Sequence, residues 1–385
     1  MTLVLLWALC LSLSVPVAML ALECFVGIAG RRPHPNKSAP PPFTVLMPAH
    51  NEAADIAQSV ADVLTQLRGC DRLLVVADNC DDNTAALARD LGASVIERSD
   101  PGLLGKGYAL EFGRAALHDD PAEVIVVVDA DCSPAPNALR QIAATAAANH
   151  AVVQGAYQLK PAPDSSTIVR ISCFAFLVKN LVRQVALARL SDVALLQGSG
   201  MAFPRAIFDR VRWKAHSLVE DLEMGLDILL EGDAVLFDEA AGFVSPASTQ
   251  SGTVQQRRRW EHGMLQVMAG YMPRLLAAAL RGRAHLLIVA LDLMIPPTVL
   301  LILIAGVVTV PLIALVGFAP PVVILLAAEA ALAVGLVAVW FARGRALLPP
   351  RALRTIVPYV LWKSRILSQF FTSRQRQWIR TERKP

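Results

Sequence analysis

The stretch EVIVVVDADCSP, residues 123–134, runs through five consecutive apolar positions and then reaches two carboxylates, Asp129 and Asp131. A short apolar run rich in β-branched residues predicts a strand in a sheet core. Side chains alternate along a strand, so both carboxylates are expected to point to one side at its tip. Two such neighbours repel unless a cation neutralises them, and oxygen ligands suit Mg²⁺ or Mn²⁺. A solvated loop, or a helix cap near Pro134, is the alternative interpretation.

Strand and helix patterns alternate around this stretch. Strands are predicted at 43–52, 72–80, 93–98 and 123–131, with a helical pattern after each of the first three. This alternation predicts parallel βαβ units and therefore an α/β fold whose sheet is covered on both faces. Ligands of such sheets bind at the carboxyl ends of the strands. The polar residues expected there are Asn51, Glu52, Asp78, Asn79, Arg98, Asp129 and Asp131.

Glycine-rich phosphate motifs do not occur in this region. The sequence has no Gly-x-Gly-x-x-Gly after the first strand and no Gly-x-x-x-x-Gly-Lys-Ser/Thr. These absences argue against a dinucleotide-binding fold and against a P-loop NTPase. The six cysteines lack Cys-x-x-Cys or metal-type spacing, so neither disulfides nor structural zinc are expected.

Apolar segments at both ends predict an integral membrane protein, in a chain that is 55% hydrophobic and 18% charged. Residues 2–28 contain one acid and no base, and this segment is long enough to cross a bilayer. No small-residue cleavage site follows them, so they are interpreted as an anchor and not as a removed signal peptide. Residues 298–318 and 321–341 are predicted to form a membrane hairpin, preceded by a short helix that a proline pair ends. Two buried helices of a soluble protein are the alternative.

Basic residues predict the orientation of these spans. They follow the first span, precede the second and follow the third, whereas the turn between the last two has none. Positively charged flanks favour the cytoplasm. We therefore expect an inner or plasma membrane protein with residues 31–283 on the cytoplasmic side. The net charge of +4 is then a membrane-surface feature, with lipids and not nucleic acid as the partner.

Short motifs in a fixed order identify the family that the chain resembles. They are PAHNE at 48–52, VVADNCDDNT at 75–84, DAD at 129–131, VED at 219–221 and QRRRW at 256–260. Together they resemble the membrane-bound glycosyltransferases of family 2, which include cellulose and hyaluronan synthases and ceramide glucosyltransferase. The resemblance implies a GT-A (Rossmann-like) nucleotide-sugar-binding domain inserted between transmembrane helices, and an inverting transfer, commonly from a UDP-sugar. Val219 replaces the usual Thr, and residues 79–81 depart from the common Asp-Gly-Ser pattern.

The resemblance implies five residues on the donor side. Glu52 and Asp78 would hold the uracil and ribose, and Lys106 would approach the nucleotide or its phosphates. Asp131 would bind Mg²⁺ or Mn²⁺ on the diphosphate, with Asp129 beside it at the nucleotide and the metal. Lys106 as a solvated loop residue is the alternative.

On the acceptor side, Asp221 would be the general base, next to Glu220. The residues that would contact the diphosphate or the acceptor sugar are Gln256, Arg259, Trp260, Gly198 and Ser199. General-base assistance contributes roughly 10²–10⁴-fold, arginine stabilises a leaving diphosphate, and tryptophan offers a flat face to a sugar. The alternatives are an acidic first helical turn at Glu220, a basic membrane-surface run at 256–260 and an ordinary turn at 197–200.

The predicted organisation has six parts. They are an anchor at 1–30, a Pro-rich linker at 31–42, the GT-A domain at 43–265, an interfacial amphipathic segment at 266–284, a transmembrane hairpin at 285–342 and a basic interfacial helix and tail at 343–385. Residues 355–371 are expected to lie on the membrane, with a fourth span as the alternative.

The expected function is sugar transfer to a polysaccharide or lipid-linked acceptor at the cytoplasmic membrane face. Processive synthesis and the transfer of a single sugar to a lipid both remain open. A non-catalytic scaffold would lack some of the acidic residues of the motifs, and none of these residues is missing from the sequence. A nucleotidyltransferase would carry a glycine-rich basic loop after the first strand, where this chain has AHNEAADIA at 49–57.

Overall fold

The computed structural model describes residues 3–30, 40–213, 217–355 and 359–360. The chain forms two compact units. The α/β unit comprises Arg32–Lys160 and Asp192–Pro246, and the helical unit comprises Met1–Arg31, Pro161–Ser191 and Ala247–Pro385. Residues 161–191 and 247–265, which lie inside the predicted 43–265 domain, therefore fall in the helical unit.

An eight-stranded sheet forms the core of the α/β unit. Its strands, numbered along the chain, are β1 Phe43–Ala49, β2 Arg72–Asp78, β3 Ser94–Arg98, β4 Val124–Val127, β5 Ser133–Pro134, β6 Val152–Lys160, β7 Met201–Pro204 and β8 Val235–Pro246. The order is β3-β2-β1-β4-β7-β6-β8-β5. Strands β1 to β4 are parallel, whereas β7 runs antiparallel to β4 and β6. The predicted α/β class is confirmed, with a mixed sheet.

The first parallel strands are buried along almost their whole length. All residues of β1 and β4 are buried, as expected for strands covered on both faces. Strand β4 ends at Val127, earlier than predicted, and Asp129–Asp131 form a turn in which the Cys132 N–H donates to the Asp129 carbonyl at 3.0 Å. The prediction that the strand extends to residue 131 was therefore wrong. Strand alternation does not set the directions of the Asp129 and Asp131 side chains.

Short helices connect the strands of the α/β unit. They are α2 Ile56–Leu64, α3 Thr84–Asp90, α4 Lys106–Ala116, α5 Ala138–Asn149, α8 Arg205–Arg210 and α9 Glu220–Glu231. The buried residues Ile56, Val60 and Val63 recur at helical spacing along α2, which gives this helix one apolar face. Helix α4 begins at Lys106 and α9 at Glu220, so both start at predicted site residues.

Longer helices make up the helical unit. They are α1 Leu3–Ile28, α6 Thr167–Leu177, α7 Arg183–Ser191, α10 Gln250–Leu280, α11 His285–Leu293, α12 Thr298–Val316 and α13 Pro320–Val339. The π-helical segment Val178–Val182 joins α6 to α7, and Trp340–Gly344 and Pro350–Thr355 follow α13. Helix α10 runs continuously across the predicted boundary at 265. Most of the predicted interfacial segment 355–371 lies outside the described residues.

Within the described residues, four helical stretches are long and apolar enough to cross a membrane, which indicates membrane association. They are Leu3–Ile28, Thr167–Ser191, Thr298–Val316 and Pro320–Gly344. The second was not predicted, and its apolar window is 83% buried inside the protein, against 44% or less for the others. It connects β6 to β7, which pair in one sheet, so a single crossing would leave parts of that sheet on opposite sides of a bilayer. This stretch is therefore a packed helix.

A buried ion cluster explains the arginine in that apolar stretch. The Arg183 guanidinium contacts Glu23 of α1 at 2.9 Å and Asp292 of α11 at 2.8 Å. The side chains of Arg183, Glu23 and Asp292 are 7%, 0% and 4% exposed. Charges this deeply buried are tolerated because they are paired and hydrogen-bonded. We call these three residues the helix triad.

Candidate active site

The loops after the first three strands are bound to one another at the carboxyl edge of the sheet. Asn51 and Asn79 adopt left-handed conformations with φ of 54° and 50°, which asparagine tolerates better than most residues. The Asn51 side chain accepts a hydrogen bond from the Asp81 N–H at 2.7 Å, and the Asn79 side chain accepts one from the Asp100 N–H at 2.6 Å. The Glu52 N–H donates to Thr84 at 2.8 Å. These bonds fix Glu52 at the same edge as Asp78.

Asp78 ends β2 and is almost completely buried. Its Oδ1 accepts hydrogen bonds from Arg98 at 2.6 Å and from Asn79 at 3.1 Å. Arg98 ends the adjacent strand β3, and its guanidinium also lies 5.5 Å from the centre of the Tyr108 ring. The sequence placed Arg98 at this edge but did not predict the ion pair with Asp78.

Lys106 contacts or lies near several of the predicted site residues. Its ammonium group forms an ion pair with Asp129 and donates a hydrogen bond to the Gly198 carbonyl at 2.5 Å. Burial alone would lower the pKa of Lys106, but the charges of Asp129, Glu220 and Asp221 raise it above its ordinary value. The Lys106 and Asp129 side chains remain 20% and 24% exposed, although the Asp129 Oδ1 atom that contacts Lys106 is itself buried.

The loop at 197–200 brings Asp221 and Asp129 to the same place. Gly198 has a φ of 93°, and a methyl group added there would lie 3.1 Å from Asp221 Oδ2 and 3.4 Å from Lys106 Nζ. The Ser199 hydroxyl accepts a hydrogen bond from the Asp129 N–H at 3.1 Å. Gly198, Ser199, Asp129 and Asp221 therefore meet around Lys106, and we call these five residues the loop cluster.

Glu220 and Asp221 lie in the first turn of α9, the position that the helix-dipole alternative predicts. A dipole role alone does not require contact with other functional groups. Asp221 nevertheless lies beside Gly198 and Lys106, and the charge of Glu220 acts on Lys106. The placement is therefore compatible with both interpretations, and the proximity favours a functional one.

Gln154 on β6 is a buried polar residue of this region that the sequence analysis missed. Its side chain is inaccessible to solvent, accepts a hydrogen bond from the Gln197 N–H at 2.9 Å and donates one to the Ser199 carbonyl at 2.9 Å. The available signal was a single amide side chain inside the apolar strand sequence VVQGAY at 152–157.

The acidic turn after β4 has the chemistry of a divalent cation site. Asp131 is 5% exposed, and Asp129 lies two residues before it in the same turn. Carboxylate oxygens are the ligands that Mg²⁺ and Mn²⁺ prefer. Among the described residues, no group of three or more His, Cys, Asp or Glu side chains is arranged to hold a metal. An ion in this turn would therefore take further ligands from substrate oxygens or water, as Mg²⁺ commonly does.

The QRRRW motif lies on α10, in the helical unit. Arg257 is 9% exposed, donates a hydrogen bond to the Ser172 hydroxyl at 2.7 Å and lies 5.6 Å from the centre of the Trp260 ring. Phe176 packs against the same ring at 5.6 Å. These contacts fix Trp260 against α6, and the sequence did not predict them. Gln256 and Arg259 are half-buried, and Gln256 accepts a hydrogen bond from Ser248 at 3.4 Å.

The geometry can be compared with known proteins. A family model described as glycosyltransferase like family 2 matches residues 40–263. The probable glycosyltransferase YdaM of Bacillus subtilis (strain 168) is 26% identical over 246 residues, which are 60% of this chain and 57% of that protein. The chain thus spans little more than half the length of this relative.

A solved structure shares the fold. Mannosyltransferase PcManGT from Pyrobaculum calidifontis, in complex with GDP-Man and Mn²⁺, superposes with a TM-score of 0.59 at 19% identity, covering 93% of this chain and 99% of its own. At this sequence identity, the match is evidence for the fold of this chain. The predicted GT-A fold, flanked by apolar helices, is confirmed.

Proposed function

The chain belongs to the glycosyltransferase-like family 2, and from this premise we propose that it transfers a sugar from a nucleotide sugar to an acceptor with inversion at the anomeric carbon. The observation that carries the proposal is the loop cluster, in which Asp129 contacts Lys106 and Asp221 lies beside Gly198 with its charge acting on the same lysine. In such a site Asp129 would help to bind a metal cation, and Asp221 would accept a proton from the acceptor hydroxyl.

We propose that the donor binds along the carboxyl edge of the sheet. Glu52 and Asp78 would hold the nucleoside, and Lys106 would approach the diphosphate. Asp131, with Asp129, would hold Mg²⁺ or Mn²⁺, which neutralises charge on the leaving diphosphate. The similar mannosyltransferase was solved with GDP-Man and Mn²⁺, which supports a divalent ion and makes GDP-sugars candidates besides the UDP-sugars that the motifs favour.

Asp221 is the proposed general base. In a single inverting displacement the acceptor hydroxyl attacks the anomeric carbon, and a carboxylate removes its proton. Gly198 has no side chain, which avoids a methyl group that would lie 3.1 Å from Asp221 Oδ2. Lys106 lies near enough to both acidic groups to limit their mutual repulsion. Glu220, at the helix start, would help to keep Lys106 protonated.

The acceptor is proposed to be a polysaccharide or a lipid-linked sugar at the cytoplasmic membrane face. The apolar helices support a membrane location. Gln256, Arg259 and Trp260 would bind the diphosphate or acceptor, and the contacts of Trp260 with Phe176 and Arg257 would fix its ring for stacking. Transfer of a single sugar to a lipid is the second candidate, because similar motifs serve both reactions.

The test uses the full-length protein in lipid nanodiscs. UDP- and GDP-sugars are supplied one at a time with Mg²⁺, Mn²⁺ or EDTA, and release of free nucleotide is measured in the presence of membrane lipid extract. We expect one donor to be turned over with either ion and little turnover with EDTA. Asp131→Asn should lose most of this turnover. Radiolabel from the active donor entering polymer or a single-sugar lipid then identifies the acceptor class.

Two results would contradict the proposal. One is a folded wild-type protein that releases no nucleotide from any donor with either ion. The other is turnover that EDTA and Asp131→Asn leave unchanged.

A further inference from the structure

Gln154 is the buried amide on β6 that contacts the loop at 197–200. We propose that Gln154 is a positioning residue for the transfer reaction, because it holds this loop in the conformation that assembles the loop cluster. The inference rests on the proposed function for its catalytic meaning. Its structural part, the control of the loop, stands independently.

The contacts of Gln154 reach both sides of the loop. Its Oε1 accepts from the Gln197 N–H at 2.9 Å, and its Nε2 donates to the Ser199 carbonyl at 2.9 Å and lies 3.3 Å from the Gly200 carbonyl. The side chain is fully buried, so water cannot replace these bonds without rearrangement. One side chain therefore satisfies backbone groups before and after Gly198.

The loop needs such support because its backbone is unusual. Gly198 and Gly200 have φ values of 93° and 66°, a region that glycine enters easily but does not prefer over others. Gly200 is anchored through its N–H to the Val127 carbonyl at 2.9 Å, and its carbonyl accepts from the Gly155 N–H at 2.8 Å. Gln154 adds fixed bonds at Gln197 and Ser199, on either side of the first glycine.

Two hydrogen bonds to predicted site residues, Lys106 and Asp129, depend on this loop conformation. The Gly198 carbonyl accepts the hydrogen bond of Lys106, and the Ser199 hydroxyl accepts that of the Asp129 N–H. The Gly198 backbone also lies beside the Asp221 carboxylate. A loop displaced by about 1 Å would disturb the base and the cation-side carboxylate together, and such displacements can lower rates by about 10²-fold.

The experiment compares Gln154→Met with Gln141→Met in the full-length protein in nanodiscs. Gln141 is a matched control because it is another amide of the α/β unit with a hydrogen bond to a buried group, Asp238, at 2.9 Å. Both variants should lose thermal stability. We expect only Gln154→Met to lower kcat by about 10- to 100-fold, with the KM for the donor changed by less than about threefold.

Gln154→Glu adds a readout that a purely structural role would not move. A glutamate keeps the acceptor for the Gln197 N–H but loses the donor to the Ser199 carbonyl. A buried carboxyl facing carbonyl oxygens favours its protonated form, which restores one donor. The kcat of Gln154→Glu relative to wild type should therefore rise as the pH falls from 8 to 5.5. The same ratio for Gln154→Met should stay flat, since methionine adds no titratable group and all other titratable groups are shared with the wild type.

Hydrogen–deuterium exchange of a peptide covering residues 195–201 separates this inference from the proposed function. Faster exchange in Gln154→Met than in wild type and Gln141→Met supports loop control even if no donor is turned over, in which case only the proposed function fails. Unchanged exchange in this peptide would overturn the inference. The inference would also be overturned if the kcat of each variant, Gln154→Met and Gln141→Met, fell only in proportion to its loss of thermal stability.

Discussion

The loop cluster and the helix triad are built from the same types of charged residue but differ in what surrounds them. In the helix triad, three helices present Glu23, Arg183 and Asp292 to one another, with side chains at most 7% exposed. In the loop cluster, Lys106 and Asp129 come from loops and helix starts and are 20% and 24% exposed. An ion cluster with almost no exposed side chain is expected to stabilise packing, whereas partly exposed charged side chains can exchange their partners for those of a ligand. Accessibility, and not the type of charge, distinguishes the two clusters.

The largest effect is expected for the base of the loop cluster. Asp221→Asn keeps the shape of the side chain but removes its ability to take a proton, so kcat for transfer should fall by about 10²–10⁴-fold. The affinity for the free nucleotide, measured by calorimetry, should change by less than about threefold. Glu231→Gln is the control, because Glu231 is exposed at the end of the same helix. Wild-type turnover in Asp221→Asn would show that this carboxylate is not the base.

Arg183→Met tests the other side of the comparison. It leaves Glu23 and Asp292 buried without their cation, and breaking such a pair typically costs about 3–5 kcal/mol. We expect a lower yield of folded protein and a lower Tm, with turnover per folded molecule unchanged. Arg189→Met, at an exposed position of the same helix, should have a small effect. A loss of turnover per folded molecule in Arg183→Met would assign the helix triad a role in the reaction.

Gly198→Ala separates backbone strain from obstruction of the loop cluster. An alanine in the left-handed region costs about 1–2 kcal/mol. Gly232→Ala should show the same strain, since Gly232 has a φ of 108° and open space around an added methyl group. Only Gly198→Ala places that methyl against Asp221, so only this variant should lose turnover, by about tenfold or more. Equal turnover in the two variants, measured as nucleotide release, would mean that the Gly198 side of Asp221 is not used.

The comparison also shows what a sequence can reveal. Alternating strand and helix patterns predicted the α/β unit, because the sheet strands are locally apolar and their ends locally polar. The resemblance carried by the motifs named the residues of the loop cluster as site residues, and their roles stay predictions. The helix triad could not be predicted, since Glu23 and Asp292 lie 160 and 109 residues from Arg183 along the chain. Gln154 was missed for the same reason, because its hydrogen bonds reach a loop more than 40 residues away.

Ser199→Ala should have the smallest effect and bears on how rigid the loop cluster must be. It removes the acceptor for the Asp129 N–H, and an ordinary hydrogen bond contributes about 0.5–1.5 kcal/mol. The turn at Asp129 remains closed by the bond from the Cys132 N–H, so the donor site should persist with a two- to tenfold loss of kcat/KM. Thr145→Ala, on α5, is the control for losing a buried hydroxyl. Raising the divalent ion concentration should recover part of the loss only in Ser199→Ala, because a loosened Asp129 weakens ion binding. If the loss of kcat/KM in Ser199→Ala were the same at every ion concentration, Ser199 would contribute to acceptor binding and not to ion binding.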